Sequence, residues 1–260
     1  MTQTRKRIHS PSSILTYKYG NGFKWGCPRK YYLRYIKGVK AKQKSPLITG
    51  GIVHKTIEKF TRGYRREMLD WEYNKVRKLA LTTLKENWDL KKHELAATCT
   101  NQHHYSQLLT NAQMMVINWL HQFIRDVLAG RGPPEPETRI VSERLGVQGV
   151  VDALYHHKGC AEIRDYKTSG YDAITPDIKL QLAIYSLLYK ERFGTLPDRV
   201  SVHFLKFPRT EKNPRRFKAT PTLIGYAMKE VQLIHELTQS DRESDYPCRC
   251  GGKCEEEFQC

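Results

Sequence analysis

Gly149-Val-Val-Asp152, followed by Arg164-Asp165-Tyr166-Lys167, is the stretch from which the fold of this 260-residue chain is read. Both tetrapeptides sit in runs rich in Val, Ile and Tyr. Arg139 to Val147, Gly149 to His156 and Cys160 to Lys167 predict three strands, and the short turn His157 to Gly159 makes them a meander. Asp165 and Lys167 are two residues apart and so share one face of the third strand. Asp152 lies 13 residues before Asp165, a separation that lets adjacent antiparallel strands carry the two carboxylates side by side. Two hard oxygen ligands beside an amine suit Mg²⁺ or Mn²⁺, a bound water and a phosphate ester. Lys167 would orient that water, or deprotonate it if its surroundings lower its pKa. Taken singly, an Asp-x-Lys triplet is more often an exposed strand end with a marginal ion pair.

Outward from these strands the periodicity is helical. Upstream, Ser10 is placed as an N-cap with Pro11 at the first helical position, and two short helices are expected between Ser10 and Lys37, separated by the stretch Gly20 to Gly26. A third helix should begin near Gly50 and Gly51, burying Ile52, Val53, Ile57 and Phe60. Further helices are expected over Trp71 to Leu95 and Gln107 to Leu128, until three prolines between Gly130 and Pro136 stop them. Downstream, Pro176 to Arg192 reads as a helix, Val200 to Phe207 as a strand and Thr220 to Thr238 as a closing helix. This order specifies an α/β or α+β fold with a central mixed sheet flanked by helices.

The formal net charge is +17, and it is unevenly placed: the first fifty residues carry twelve Lys or Arg and no Asp or Glu. A second stretch, Arg199 to Lys218, has seven basic residues against Glu211 alone. Both are interleaved with aromatic residues that can stack on bases, which points to a nucleic acid; a solvated basic surface or an acidic membrane is the plainer alternative. No apolar run is long enough for a membrane span, and no apolar segment follows the basic start as in a secretory leader, so a cytoplasmic protein is expected. Of the seven cysteines, Cys248, Cys250, Cys254 and Cys260 fall in the last thirteen residues. In a reducing compartment that density suits a metal or cluster better than disulfides, and thiolate spacing alone leaves zinc and iron–sulfur equally open. Cys99 and Cys160 read as ordinary thiols.

The motifs taken in order resemble the RecB-like branch of the PD-(D/E)xK nuclease superfamily, and in particular its stand-alone CRISPR-associated exonucleases. The matching stretches are Cys-Pro-Arg-Lys-Tyr-Tyr-Leu-Arg-Tyr (27–35), Gly-Gly-Ile-Val-His (50–54), Gly-Val-Val-Asp (149–152), Asp-Tyr-Lys-Thr (165–168), Gln-Leu-Ala-Ile-Tyr (181–185) and the terminal cysteines. The resemblance implies a metal-dependent DNA exonuclease acting on single-stranded ends, often 5′ to 3′, in CRISPR adaptation or in DNA recombination and repair, with DNA and the proteins of those processes as partners. It implies His54, Asp152, Asp165 and the Tyr166 backbone carbonyl as ligands of Mg²⁺ or Mn²⁺, Lys167 as the catalytic lysine, and Gln181 with Tyr185 as a device holding DNA. Glu143 resembles a further acidic position found in some members. The glycines before His54 would let its helix approach the sheet closely.

The resemblance also implies an iron–sulfur cluster, four-iron rather than two-iron, on Cys27, Cys250, Cys254 and Cys260, with Cys248 as the substitute for Cys250. The spacing departs from the family, with three residues between Cys250 and Cys254 where two are usual, and zinc is the alternative metal. On this reading residues 1–46 form basic helices with the distant cysteine, 47–137 a helical region carrying His54, 138–240 the nuclease core, and 241–260 a cysteine-rich tail packing with the N-terminus. The rival readings are a non-catalytic DNA-binding subunit with a zinc staple and a structure-specific endonuclease.

Overall fold

A computed structural model of the chain describes residues 7–18, 26–208, 210 and 213–258. The chain forms a five-stranded sheet in the order β1 (Glu135–Ser142), β2 (Val147–His157), β3 (Cys160–Lys167), β4 (Arg199–Phe204) and β5 (Arg215–Lys218). β1, β2 and β3 form the antiparallel meander, β4 pairs parallel with β3, and β5 closes the edge antiparallel to β4. The sheet is therefore mixed, as expected. The parallel β3–β4 pair requires a crossover, which α6 (Pro176–Phe193) supplies.

Helices cover both faces. Against one lie α6 and α7 (Pro221–Leu237), with the N-terminal α1 (Pro11–Tyr17) and α2 (Pro28–Tyr31). Ile14, Tyr31, Ile184, Leu188 and Val231 meet Val151, Ile163 and Val202 of the strands there. Against the other lie α3 (Ser45–Gly63), α4 (Tyr73–Ala96) and α5 (Gln102–Leu128), whose Val53, Leu84, Trp119 and Phe123 pack with Ala153, Tyr155 and Tyr166. Each such buried side chain contributes about 1.5–3 kcal/mol before the cost of ordering it. The tail ends in a short α8 (Lys253–Phe258). Among the described residues no helix is long and apolar enough to cross a membrane.

Ser10 caps α1 as expected: its side chain accepts from the Ser13 N–H and Pro11 opens the helix. α3 starts at Ser45, ahead of the expected Gly50, because Pro46 fixes the first turn in helical φ. α5 starts at Gln102 rather than Gln107, since Asn101 accepts from the His104 N–H and so caps the helix five residues early. Residues 19–25, which take in most of the expected break from Gly20 to Gly26, lie outside the described residues.

Candidate active site

The sheet is irregular at one place, and the candidate site sits there. Pro136 pairs with Ala153 and Thr138 with Val151, while Glu137 and Asp152, between them, drop out of the paired register. On β2, Val147 and Val151 belong to the α6 side, whereas Ala153 and Tyr155 belong to the α3–α5 side. The alternation of faces thus slips at Asp152 and, across from it, at Glu137. Glu137 adopts φ +51, a left-handed conformation uncommon outside glycine, of the kind that concentrates where a side chain must be aimed. β2 and β3 pair only as far as Ala153 with Arg164, although β3 continues along β4 to Lys167. Beyond that point the strands part. The Asp152 carboxylate takes the Tyr166 N–H at 2.7 Å that a regular ladder would have given to backbone. Because the N–H and C=O of one strand residue point the same way, the Tyr166 carbonyl faces the same opening.

α3 brings His54 to this opening. Its Nδ1 lies 3.4 Å from an Asp152 oxygen and 3.9 Å from a Glu137 oxygen. The approach depends on Gly50, one helical turn earlier, where a Cβ would stand 2.9 Å from Thr168 Oγ1. Gly51 plays no such part: nothing lies within 4 Å of the position its Cβ would take. Asp165 enters from β3, almost wholly buried, with its Oδ2 2.9 Å from Lys167 Nζ.

Three ligand atoms, one each from His54, Glu137 and Asp152, lie within 4.8 Å of one another. Beside them the buried Asp165 carboxylate pairs with Lys167 at 2.9 Å, so three acids, Glu137, Asp152 and Asp165, face two cationic groups, His54 and Lys167, and a further cation would balance the excess negative charge. The donor set of carboxylates, one imidazole and a backbone carbonyl therefore fits a hard divalent ion, with the imidazole favouring acceptance of Mn²⁺ as well as Mg²⁺.

Burial alone would lower the His54 pKa, but the Asp152 charge and the hydrogen bonds to Asp152 and Glu137 raise it to about 10. Burial raises the Asp165 carboxyl to about 6, with the Asp152 charge adding to it and Lys167 opposing. Asp152 goes the other way: against its burial, His54, the Tyr166 N–H and Lys167 hold it below the usual carboxylate range. The two carboxylates are thus separated by their surroundings.

Of the two roles expected of Lys167, orienting a water and deprotonating it, the second requires a lowered pKa. Burial would lower it, yet the Asp165 carboxylate raises it above the ordinary lysine value, which favours the orienting role. Its Nζ donates to Gln181 Oε1 at 2.6 Å, and Gln181 Nε2 donates to the Tyr185 hydroxyl at 2.9 Å. Gln181 and Tyr185 share one face of α6, as their spacing predicts, but that face points inward. Tyr185 is buried and Gln181 half-buried, and the pair holds the Lys167 ammonium in place. Gly149 admits this contact, since a Cβ there would meet Leu188 at 2.9 Å and Tyr185 at 3.0 Å.

The model of one family, the PD-(D/E)XK nuclease superfamily, matches residues 25–256. The chain belongs to the PD-(D/E)XK nuclease superfamily. Membership implies metal-dependent nuclease chemistry, although some members of the superfamily are inactive. Among curated proteins none matches the chain.

In this superfamily member the expected His54, Asp152, Asp165, Tyr166 and Lys167 come together, and Glu143 does not join them. Glu143 is exposed in the turn after β1, where its carbonyl accepts the Gly146 N–H. Six residues of strand separate it from Glu137, roughly 20 Å. The β1 acid at the site is Glu137, which the sequence reading missed because Pro133, Pro134 and Pro136 were taken as the end of helix formation only. β1 is an edge strand, where proline is tolerated.

A second missed group lies under the nuclease site. Arg164, fully buried, donates to Asp126 at 2.6 Å, to Glu162 at 2.8 Å and to the Tyr155 hydroxyl at 3.0 Å. Arg131 pairs with the same two acids at 3.1 and 2.6 Å. The alternation Glu162, Arg164, Tyr166 placed these residues on the face opposite Asp165, but nothing in sequence identified their partner on α5.

The cysteines converge as well. Cys27, Cys248, Cys250 and Cys254 form a group whose sulfurs lie within 4.8 Å of one another. Cys248 and Cys250 thus both take part, where one was expected to replace the other, and Cys260 lies outside the described residues. Cys99 is half-buried and Cys160 exposed, both apart from the group.

Proposed function

We propose that this chain is a divalent-metal-dependent deoxyribonuclease that degrades single-stranded DNA from an end. The observation that carries the hydrolytic reading is the cluster of His54, Glu137 and Asp152 next to the Asp165–Lys167 pair where β2 and β3 part. A divalent ion on these ligands supplies a Lewis acid for the scissile phosphate and lowers the pKa of a bound water. Asp165 and Asp152 hold the charge that such an ion requires. Lys167, fixed by Asp165 and Gln181, donates to the attacking water or to a phosphate oxygen as negative charge grows there. The water oxygen forms the new bond to phosphorus and gives up a proton to solvent, the bond to the 3′ or 5′ oxygen breaks, and that oxygen takes up a proton from solvent.

DNA as substrate is supported by the basic segments that flank the core, twelve Lys or Arg in the first fifty residues and Arg215, Arg216 and Lys218 on β5. Phosphate contacts of this kind give affinity without sequence choice. The preference for ends, the 5′ to 3′ direction and a place in CRISPR adaptation or in recombination and repair rest on the resemblance of the motifs.

The test uses end-labelled linear single-stranded, linear duplex and circular single-stranded DNA with Mg²⁺ or Mn²⁺. Linear single strands are expected to be shortened and circles to persist. Asp165→Asn and Lys167→Met are expected to lose cleavage at least a hundredfold while binding DNA nearly as the parent does. Parent-like cleavage by both variants would remove the site, whereas cut circles would replace the exonuclease with an endonuclease.

A further inference from the structure

Cys27, at the start of α2, meets three tail cysteines more than two hundred residues away in sequence. Cys248 Sγ lies 3.2 Å from Cys254 Sγ and 3.7 Å from Cys250 Sγ. Four thiolates on one tetrahedral zinc, with bonds of about 2.3 Å, stand roughly 3.8 Å apart. In a four-iron cluster each thiolate binds a different iron and points away from the centre, so the sulfurs surround a cage of irons and inorganic sulfides. Sulfurs gathered within 4.8 Å leave no room for that cage. The described thiols fit one ion and do not fit the four-iron cluster that the family resemblance implies.

The backbone supports the same reading. The N–H groups of Arg249, Gly252 and Cys254 donate to the sulfurs of Cys27, Cys248 and Cys250 at 3.2, 3.3 and 3.2 Å. Such bonds delocalise the negative charge of metal-bound thiolates. The turn that aims them passes through Gly251 and Gly252 at φ +62 and +82, a region open to glycine and strained for other residues. Cys-Arg-Cys-Gly-Gly-Lys-Cys (248–254) thus presents three sulfurs from one short loop, and α2 presents the fourth.

We propose that Cys27, Cys248, Cys250 and Cys254 bind a single zinc ion that pins the tail to α2; four thiolates complete the tetrahedron, so the ion needs no fifth cysteine. The ion does not act alone. Arg29 and Lys30 of α2 pair with Glu243 and Glu257 of the tail, and Tyr246 stacks on Tyr31 and Tyr32 with ring centroids 6.1 and 5.3 Å apart. Tyr31 and Tyr32 belong to the core that also holds α6, so the pin fixes one wall of the helix that carries Gln181.

The proposal stands apart from the nuclease reading and is tested by metal content. The full chain, purified without oxygen, is assayed for zinc, iron and acid-labile sulfide, alongside Cys248→Ser and Cys260→Ser. The expected result is a colourless protein with one zinc per chain and no labile sulfide, with zinc kept by Cys260→Ser and lost at least tenfold more readily to a chelator by Cys248→Ser. Should Cys248→Ser fail to fold, the parent and Cys260→Ser suffice. Iron with labile sulfide, loss of metal in Cys260→Ser, or a metal-free chain whose cysteines are joined in disulfides would each overturn the proposal.

Discussion

Replacing Arg164 by Met tests whether the buried charges beneath the site hold α5 to the sheet. Burial alone would raise the Glu162 pKa, but the Arg164 charge, the Ser201 hydroxyl and Arg131 overturn that and hold it at about 2, against an ordinary 4.5. A carboxylate held so contributes about 3 kcal/mol at neutral pH, in line with the roughly 3–5 kcal/mol lost when one partner of a buried pair is removed. The sign follows from the depressed value: the contribution is full above about pH 4.5 and is lost as pH falls toward 2. Met fills most of the volume of Arg, so the variant isolates charge from packing. In urea unfolding followed by circular dichroism, Arg164→Met should lose about 3 kcal/mol at pH 7, and the gap should shrink by about half at pH 3. An equal midpoint at pH 7, or a gap that does not narrow in acid, would refute the reasoning.

Three further outcomes follow from the geometry. Glu137→Gln removes one of the three clustered ligands, and Mn²⁺ titration by calorimetry should show affinity weakened on the order of tenfold or more, while Glu143→Gln leaves it unchanged. Gly149→Ala drives a methyl into Tyr185 and Leu188 and should cost about 1–3 kcal/mol, whereas Gly51→Ala, exposed in a helix with open space around it, should be neutral or stabilise by up to about 1 kcal/mol; thermal melts of the two decide. Gln181→Leu removes the acceptor that holds Lys167 and should lower kcat by about tenfold with little change in KM; a rise in KM alone would return Gln181 to DNA binding.

The legible parts of the fold are those where burial writes a period into the chain. The first half of β2 alternates, α3 repeats Ile52, Val53, Ile57 and Phe60 on one face, and Asp165 with Lys167 inherit a shared face from the strand. β5 left no such trace. Arg215–Lys218 is short, basic and largely exposed at the sheet edge, and its assignment rests on backbone bonds to β4 that composition does not encode. Glu137 was hidden for a related reason: its reach to the site depends on a positive φ and a slip in alternation, whereas the period reading assumes regular strands. The inward role of Gln181 also escaped, because spacing on α6 fixes that Gln181 and Tyr185 share a face and says nothing of where it points.

That slip is what lets the site draw on both layers. Regular alternation at Glu137 and Asp152 would keep each carboxylate on the face of its neighbours, so His54 from the α3 side and Lys167 with Gln181 on the α6 side would be separated by the thickness of the sheet. The parting of β2 from β3 after Ala153 removes that barrier, and the Tyr166 N–H, freed from the ladder, becomes the hydrogen bond that orients Asp152. The local loss of ladder bonds is offset by the cores on either side, each anchored within a few residues of the opening by Val151 and Ile163 or by Ala153 and Tyr166. A site assembled in this way needs both helical layers in place at once, so loosening either wall should disturb the same few ligand distances.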